Sequence, residues 1–293
     1  MGKNWRKTLD FLLFSNMLIA LCAVAQGFVT YELLHVRPNA FILAVLFCAT
    51  WALYNFSILL TRPKNPSDSP LQRIRWIFLH DRLLITVTLA ASLALIILCL
   101  FLSWSSLFLL LFLALISLAY ASPLFRFRNK PFGLRGVPGI KLFLIAFVWS
   151  LSCVLLPILE LENMQMDILF TETTLLLFVN EFLFIVALTI PFDIRDMHLD
   201  KQYALHTLPT MLGKQIAMFI CGGCILAYVI IVLLNPSIYT KINTLGILCS
   251  LALTTWVILK CNSSKNEHDH FLFIDGMLVM QLFMLLVVKR TLS

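Results

Sequence analysis

Three aspartates at the end of an apolar stretch have the residue type and spacing of a phosphate or metal site. Asp193, Asp196 and Asp200 stand at positions i, i+3 and i+7, which share one face of a helix. Like charges there repel one another, and a divalent cation relieves the repulsion. Mg²⁺ is usually held by one or two carboxylates together with substrate phosphates, and the neighbouring Arg195 and Lys201 can pair with phosphate oxygens. A solvated, charged helix end explains the same residues, so both interpretations stay open at this point.

The composition shows what kind of element must position these acids. Of the 293 residues, 60% are hydrophobic and 13% are charged, and the mean hydropathy is +0.93. A soluble domain carries about 45–50% apolar and about 25% charged residues. The difference excludes a soluble globular enzyme, a disordered chain and a nucleic-acid-binding domain. The apolar stretches run without the alternation of a membrane β-barrel, so we predict a bundle of membrane helices.

Nine apolar stretches approach the length of about 20 residues that a membrane helix needs. They cover residues 11–34, 40–60, 83–102, 105–121, 141–159, 174–192, 214–235, 242–260 and 271–288. A turn near residues 103–106 joins the third and fourth as a helical hairpin. The aspartates then lie in a loop after the sixth span. No shift in composition divides the chain, so we predict one all-α transmembrane domain over residues 1–293.

The basic residues predict the orientation of the bundle. If the nine spans are correct, 18 of the 22 Lys and Arg residues fall on the side that holds the N-terminus. Loops rich in Lys and Arg stay in the cytoplasm, which predicts a cytoplasmic N-terminus and an external C-terminus. We therefore attribute the net charge of +7 to the excess of Lys and Arg in the cytoplasmic loops of a multi-pass protein of the bacterial inner membrane. We predict no nucleic-acid partner. The sequence contains no clear signal of oligomeric state.

Two motifs resemble those of a known superfamily. Asp193-x-x-Asp196-x-x-x-Asp200, followed by Thr207-Leu208-Pro209, is similar to the second aspartate motif of the UbiA-type prenyltransferases. The segment Tyr120-Ala121-Ser122-Pro123-Leu124 resembles the tyrosine–proline turn after their fourth helix, and nine helices with a cytoplasmic N-terminus match the same superfamily.

The resemblance implies transfer of a prenyl group from a polyprenyl diphosphate to a hydrophobic, aromatic or lipid-like acceptor. It also implies that Asp193, Asp196 and Asp200 are catalytic residues that hold Mg²⁺ on the diphosphate, with Arg195 and Lys201 assisting. Cationic groups would stabilise the charge that develops on the leaving diphosphate, and aromatic faces would stabilise the allylic cation.

The first aspartate motif of the superfamily is incomplete in this chain. Its pattern, N-x-x-x-D-x-x-x-D, begins at Asn55, but Leu59 and Pro63 occupy the carboxylate positions. Arg62 stands nearby, so Asn55 and Arg62 are candidate diphosphate-binding residues. The missing acids also favour an alternative from another class, a protein that keeps the fold and binds an isoprenoid or serves as a scaffold without catalysis.

Other polar residues fall within or beside the apolar stretches. Glu181 lies 12 residues before Asp193, about 18 Å along a helix, so it is too distant to share a metal ion with that aspartate. Both a structural role and an acceptor-side role remain open for it. Asn16 is expected to bond across helices, and Asp275 is interpreted as structural. Arg73 is interpreted as either a headgroup anchor or a phosphate ligand.

Overall fold

The computed structural model describes residues 3–60, 69, 72–121, 125–127, 130–132, 137, 139–164, 169, 171–202, 205–261 and 270–292. The described part of the chain is almost entirely helical. The helices are α1 (Lys3–Phe14), α2 (Met17–Leu33), α3 (Ala40–Leu60), α4 (Gln72–Leu79), α5 (Asp81–Cys99), α6 (Trp104–Ala121), α7 (Ile140–Ser150), α8 (Leu156–Asn163), α9 (Glu172–Gln202), α10 (Leu208–Leu212), α11 (Lys214–Leu234), α12 (Lys241–Cys261) and α13 (Gly276–Leu292). A π-helical turn, Leu151–Leu155, joins α7 to α8, and a second, His270–Ile274, precedes α13.

A short antiparallel hairpin follows α6. It pairs β1 (Phe125–Phe127) with β2 (Lys130–Phe132), and Arg126 lies opposite Pro131. The hairpin lies between the fourth and fifth predicted spans, residues 105–121 and 141–159.

The predicted membrane bundle is confirmed. Among the described residues, seven helices are long and apolar enough to cross a membrane, and the bent pair α1–α2 makes an eighth candidate. The fourth predicted span corresponds to α6, a shorter apolar helix. All nine predicted spans thus coincide with apolar helical segments, while the count of nine crossings stays a prediction.

Two sequence expectations need correction. Residues 11–34 do not form one straight span, because the chain bends by 61° between α1 and α2. The bend follows from Asn16, whose φ of 62° lies in the left-handed region that asparagine tolerates better than most residues. The predicted loop after the sixth span is also wrong, because α9 continues through Pro191 to Gln202. All three aspartates of the triplet therefore lie on that one helix.

The helices pack around a common centre. Helix α2 packs against α3 and α13, α3 packs against α5, and α13 packs against α12. On the other side, α9 lies between α7 and α11, and the first π-helical turn contacts α2. The centre is therefore enclosed by helices that are far apart in the sequence.

Helices α12 and α13 approach most closely at Gly246. A Cβ added there would lie 3.0 Å from the backbone Cα of Leu285, whereas one added at Gly222 in α11 would meet no atom within 4 Å. We expect Gly246→Ala to lower the free energy of unfolding by about 1–3 kcal/mol, the usual cost of overpacking. Gly222→Ala is the matched control and should leave stability unchanged or slightly higher. Thermal unfolding in detergent would measure both, and equal melting temperatures for the two variants would contradict this packing.

Candidate functional site

A cavity of about 180 Å³ lies at the centre of the bundle. It is lined by the α1–α2 junction, α3, α4, α7, α9, the second π-helical turn and the start of α13. Its polar lining residues are Asn16, Tyr54, Arg73, Lys141, Thr189, Asp193 and Asp275. Most of them lie close to helix ends that the charge pattern assigns to the N-terminal side of the membrane. We refer to that side as the basic side.

The polarity of the cavity changes with depth. Along α7 the lining residues are Lys141, Ile145 and Trp149, which lie one turn apart on one helix face. Along α9, Asp193 is followed inward by Thr189 and Ile185. Along these two helices the charged groups thus lie nearer the basic side and Ile145, Trp149 and Ile185 lie deeper, while Phe192 and Phe271 line the cavity beside the charged groups. The Trp149 Nε1 group donates a hydrogen bond of 3.2 Å to the Tyr54 hydroxyl, which links α7 to α3 across the deeper part.

The strongest electrostatic contact in the cavity joins Lys141 to Asp193. The Lys141 Nζ group donates to Asp193 Oδ1 at 2.5 Å, and the aspartate side chain is only 1% exposed. A buried charge without a partner would cost several kcal/mol, so the ion pair offsets the cost of burying Asp193. The cation that neutralises Asp193 is therefore supplied by the protein itself.

A backbone contact brings the two helices of this pair together. The Gly139 amide, which immediately precedes α7, donates to the His206 carbonyl oxygen at 2.9 Å. Gly139 has a φ of +73°, a conformation that glycine adopts without steric cost. The Leu205 amide in turn donates to the Asp200 carbonyl oxygen at 2.8 Å. The segment after α9 thus holds the start of α7, and with it Lys141, beside the end of α9.

Arg73 enters the opposite wall from the short helix α4. Its Nη2 group donates to Asn16 Oδ1, and Asn16 Nδ2 donates to Asn55 Oδ1 at 2.7 Å. Asn55 is fully buried and does not line the cavity. The structure thus places the predicted ligand Asn55 behind Asn16, where it helps to hold Arg73. The bond between Asn16 and Asn55 also confirms the expectation that Asn16 bonds across helices.

A second arginine lies beside Arg73 on the same aromatic ring. The guanidinium carbons of Arg73 and Arg195 are 4.8 Å and 5.2 Å from the centroid of the Phe271 ring. Both arginines interact electrostatically with Asp275, which precedes α13. Two of the Arg195 nitrogens contact Asp196, while the buried Nη1 group has no hydrogen-bond partner among the described residues. Arg195 belongs to α9 and does not line the cavity itself, so it places a second guanidinium group beside the lining residue Phe271, with one donor that has no partner among the described residues.

The three predicted carboxylates have different surroundings. Asp196 pairs with Arg195 at 2.8 Å and its side chain is 29% exposed, whereas Asp200 is buried. Burial raises the pKa of Asp200 above its ordinary value; Lys141 opposes this effect, and the charges of Asp193 and Asp196 add to it. Of the triplet only Asp193 lines the cavity. Lys201 is exposed near the end of α9, and Arg62 lies outside the described residues.

Sequence reasoning missed several cavity residues. Lys141 begins the fifth predicted span but is not among the predicted site residues, although a lysine that opens the apolar face Lys141–Ile145–Trp149 is a usable signal. Asp275 was interpreted as structural, yet it lines the cavity. Arg73 was left between two roles, and the structure places it in the cavity wall. Tyr54 and Trp149 gave no signal, because aromatic residues are common throughout membrane helices.

Comparisons with known proteins connect this geometry to a fold. No family model and no curated protein sequence matches the chain. A solved apo structure of a UbiA homolog from Aeropyrum pernix K1 matches with a TM-score of 0.65 and 13% identity over 94% of this chain and 97% of that chain. A structure of a digeranylgeranylglyceryl phosphate synthase in membranes matches with a TM-score of 0.59 and 16% identity over 98% and 99%. This chain has the UbiA-type prenyltransferase fold. At these identities, the likeness shows the fold alone.

The predicted triplet does not have the arrangement of a magnesium site. The described residues contain no group of three His, Cys, Asp or Glu side chains arranged to hold a metal ion. Lys141 pairs with Asp193, and Arg195 pairs with Asp196. Resident cations thus offset the repulsion at these two carboxylates, while the charges of Asp193 and Asp196 still raise the pKa of Asp200. A site that uses all three carboxylates does not fit this arrangement.

Proposed function

We propose that this protein is a membrane prenyltransferase that acts on a polyprenyl diphosphate at the basic side of the bundle, in a bacterial inner membrane. The observation that carries the proposal is the central cavity, with cations at one end and aromatic and apolar side chains at the other. An isoprenoid diphosphate has the same division into an anionic head and an apolar tail. The UbiA-type fold supports the same class, since one fold neighbour is a digeranylgeranylglyceryl phosphate synthase.

Binding is proposed to place the diphosphate between the two cationic walls. Arg73 and Lys141 line the cavity from opposite sides, and guanidinium groups form strong bidentate bonds to phosphate oxygens. The first isoprene unit then extends inward toward Tyr54 and Trp149, where burial of apolar surface stabilises the complex. The rest of the tail follows the apolar bundle.

The proposed reaction follows from this placement. The bond between prenyl C1 and the bridging oxygen breaks, and its electron pair goes to the departing diphosphate. Arg73 and Lys141 stabilise the charge that develops there, since fixed cations cost no reorganisation during the reaction. The aromatic faces of Tyr54 and Trp149 stabilise the allylic cation. A hydrophobic or aromatic acceptor supplies the electron pair of the new bond to C1 and releases a proton to water or to the departing diphosphate.

A transfer assay tests this function. Purified protein in lipid nanodiscs would be incubated with a radiolabelled polyprenyl diphosphate and a panel of phenolic, quinoid and glycerol-phosphate acceptors. The expected result is a labelled product together with released diphosphate from the wild-type protein, with both lost in Arg73→Gln. Release of diphosphate without a labelled acceptor would indicate hydrolysis and contradict transfer to this panel.

A second candidate function is isoprenoid binding without transfer. It is favoured by the missing carboxylates after Asn55 and by the ion pair that occupies Asp193. Recovery of the bound diphosphate intact, with every acceptor and after prolonged incubation, would support the binding protein over the transferase. Saturable binding of the lipid distinguishes this outcome from a chain that does not recognise isoprenoids.

A further inference from the structure

We infer that this cavity binds the phosphate end of its isoprenoid ligand through the protein's own cations, without a bridging metal ion. The inference rests on the proposed function, because it concerns how the same ligand is held. It differs from the expectation raised by the aspartate motifs, in which Mg²⁺ joins carboxylates to the diphosphate. The two walls of the cavity supply these cations.

Among the described residues, the wall formed by α3 and α4 contributes an arginine and no carboxylate to the cavity lining. Leu59 and Pro63 occupy the motif positions of the acids, and the charged residue that α4 adds to the cavity lining is Arg73. A wall of carboxylates would repel a diphosphate unless a metal ion lay between them. A guanidinium group attracts the phosphate directly, so this wall has no electrostatic need for a metal ion.

Arg73 is also held in position before any ligand arrives. Asn16 accepts a hydrogen bond from its Nη2 group, and Asn55 accepts one from Asn16. The ring of Phe271 supports the guanidinium group from a distance of 4.8 Å. A side chain fixed in this way loses less conformational entropy on binding, which is the advantage of a preorganised site.

The carboxylate that α9 contributes to the opposite wall is already paired. Asp193 lines the cavity and accepts from Lys141, and Asp196, outside the lining, accepts two hydrogen bonds from Arg195. A magnesium ion would have to compete with both cations for these carboxylates. A phosphate group in the cavity would instead share Lys141 with Asp193.

One carboxylate opposes this arrangement. Asp275 also lines the cavity and interacts electrostatically with both arginines. When ionised, Asp275 offsets part of the positive charge of the two arginines. Two cations, Arg73 and Lys141, nevertheless line the cavity, and Arg195 contacts the lining residue Phe271. We expect donor contacts from Arg73 and Lys141 to contribute more to phosphate binding than the net charge of the cavity does.

The experiment compares binding of geranylgeranyl diphosphate with and without metal ions. Wild-type protein in detergent would be titrated in excess EDTA and, separately, in excess Mg²⁺. Geranylgeraniol, which has the same tail and no phosphate, serves as the matched ligand control. We expect the two dissociation constants of the diphosphate to agree within about fivefold, and geranylgeraniol to bind at least about tenfold more weakly in EDTA, as charge-assisted hydrogen bonds to phosphate require.

Three results would overturn the inference. A larger loss of diphosphate affinity in EDTA that Mg²⁺ restores would show that a metal ion mediates binding, while the proposed function stands. Equal affinity of the alcohol and the diphosphate in EDTA would show that the tail alone is recognised. Failure of the diphosphate to bind in either buffer would remove the proposed function as well. The wild-type chain is used throughout, so misfolding of a variant cannot obscure the answer.

Discussion

Replacing Lys141 by methionine should lower the free energy of unfolding by about 3–5 kcal/mol, the cost of leaving a buried carboxylate without its partner. Asp193 is 1% exposed and accepts from Lys141 at 2.5 Å. Methionine preserves the length and apolar character of the lysine side chain, so lost packing contributes little. The melting temperature of the purified protein in detergent, followed by tryptophan fluorescence, would measure the effect.

A double variant separates the lost ion pair from other effects of the substitution. Asp193→Asn removes the buried negative charge, so Lys141→Met combined with Asp193→Asn should recover much of the lost stability. Lys241→Met is the matched control, because Lys241 also opens an apolar helix but is exposed. We expect a change within about 0.5 kcal/mol there. A double variant as unstable as Lys141→Met alone would contradict the assignment of the ion pair.

Arg73→Gln should weaken binding of a prenyl diphosphate by about 10- to 100-fold. A hydrogen bond to a charged group contributes about 1.5–3 kcal/mol to binding. Each loss of about 1.4 kcal/mol lowers the affinity tenfold. Glutamine retains a donor for Asn16 but carries no charge. Titration of geranylgeranyl diphosphate into the detergent-purified variant would measure the change.

Arg75→Gln is the matched control for this prediction. Arg75 lies on the same short helix and donates to the Ser69 carbonyl oxygen at an exposed position, away from the cavity lining. Its replacement should change the affinity by no more than about twofold, since exposed charge contacts contribute little. Equal losses in the two variants would indicate attraction by general surface charge and would contradict a specific place for Arg73 in the cavity wall.

Periodic and local features were predictable from the sequence, and long-range pairs were not. Length and apolar content located the membrane helices, because a bilayer imposes both on each span. Asp193 was identified because an acidic triplet beside an apolar stretch is locally visible. Its partner Lys141 lies 52 residues away, and no spacing rule relates two helices that meet only after folding.

Backbone geometry explains the other differences between expectation and structure. The bend before α2 depends on the left-handed conformation of Asn16. Asparagine tolerates this conformation better than most residues, but an asparagine in a sequence does not require it. The continuation of α9 past Pro191 depends on neighbouring elements, since a proline usually ends or kinks a helix. The position of Arg73 depends on how α4 folds back toward α1, with which it packs. Each of these is a tertiary outcome.

The central claim is that the cavity holds the phosphate end of an isoprenoid lipid, and the lipids that co-purify with the protein test it most directly. Wild-type protein, Arg73→Gln and Arg75→Gln would be purified in parallel, and their lipid extracts analysed by mass spectrometry. We expect an isoprenoid phosphate or diphosphate that is enriched with the wild type and with Arg75→Gln and depleted with Arg73→Gln. Extracts that contain only ordinary bilayer phospholipids, in equal amounts for all three proteins, would contradict it.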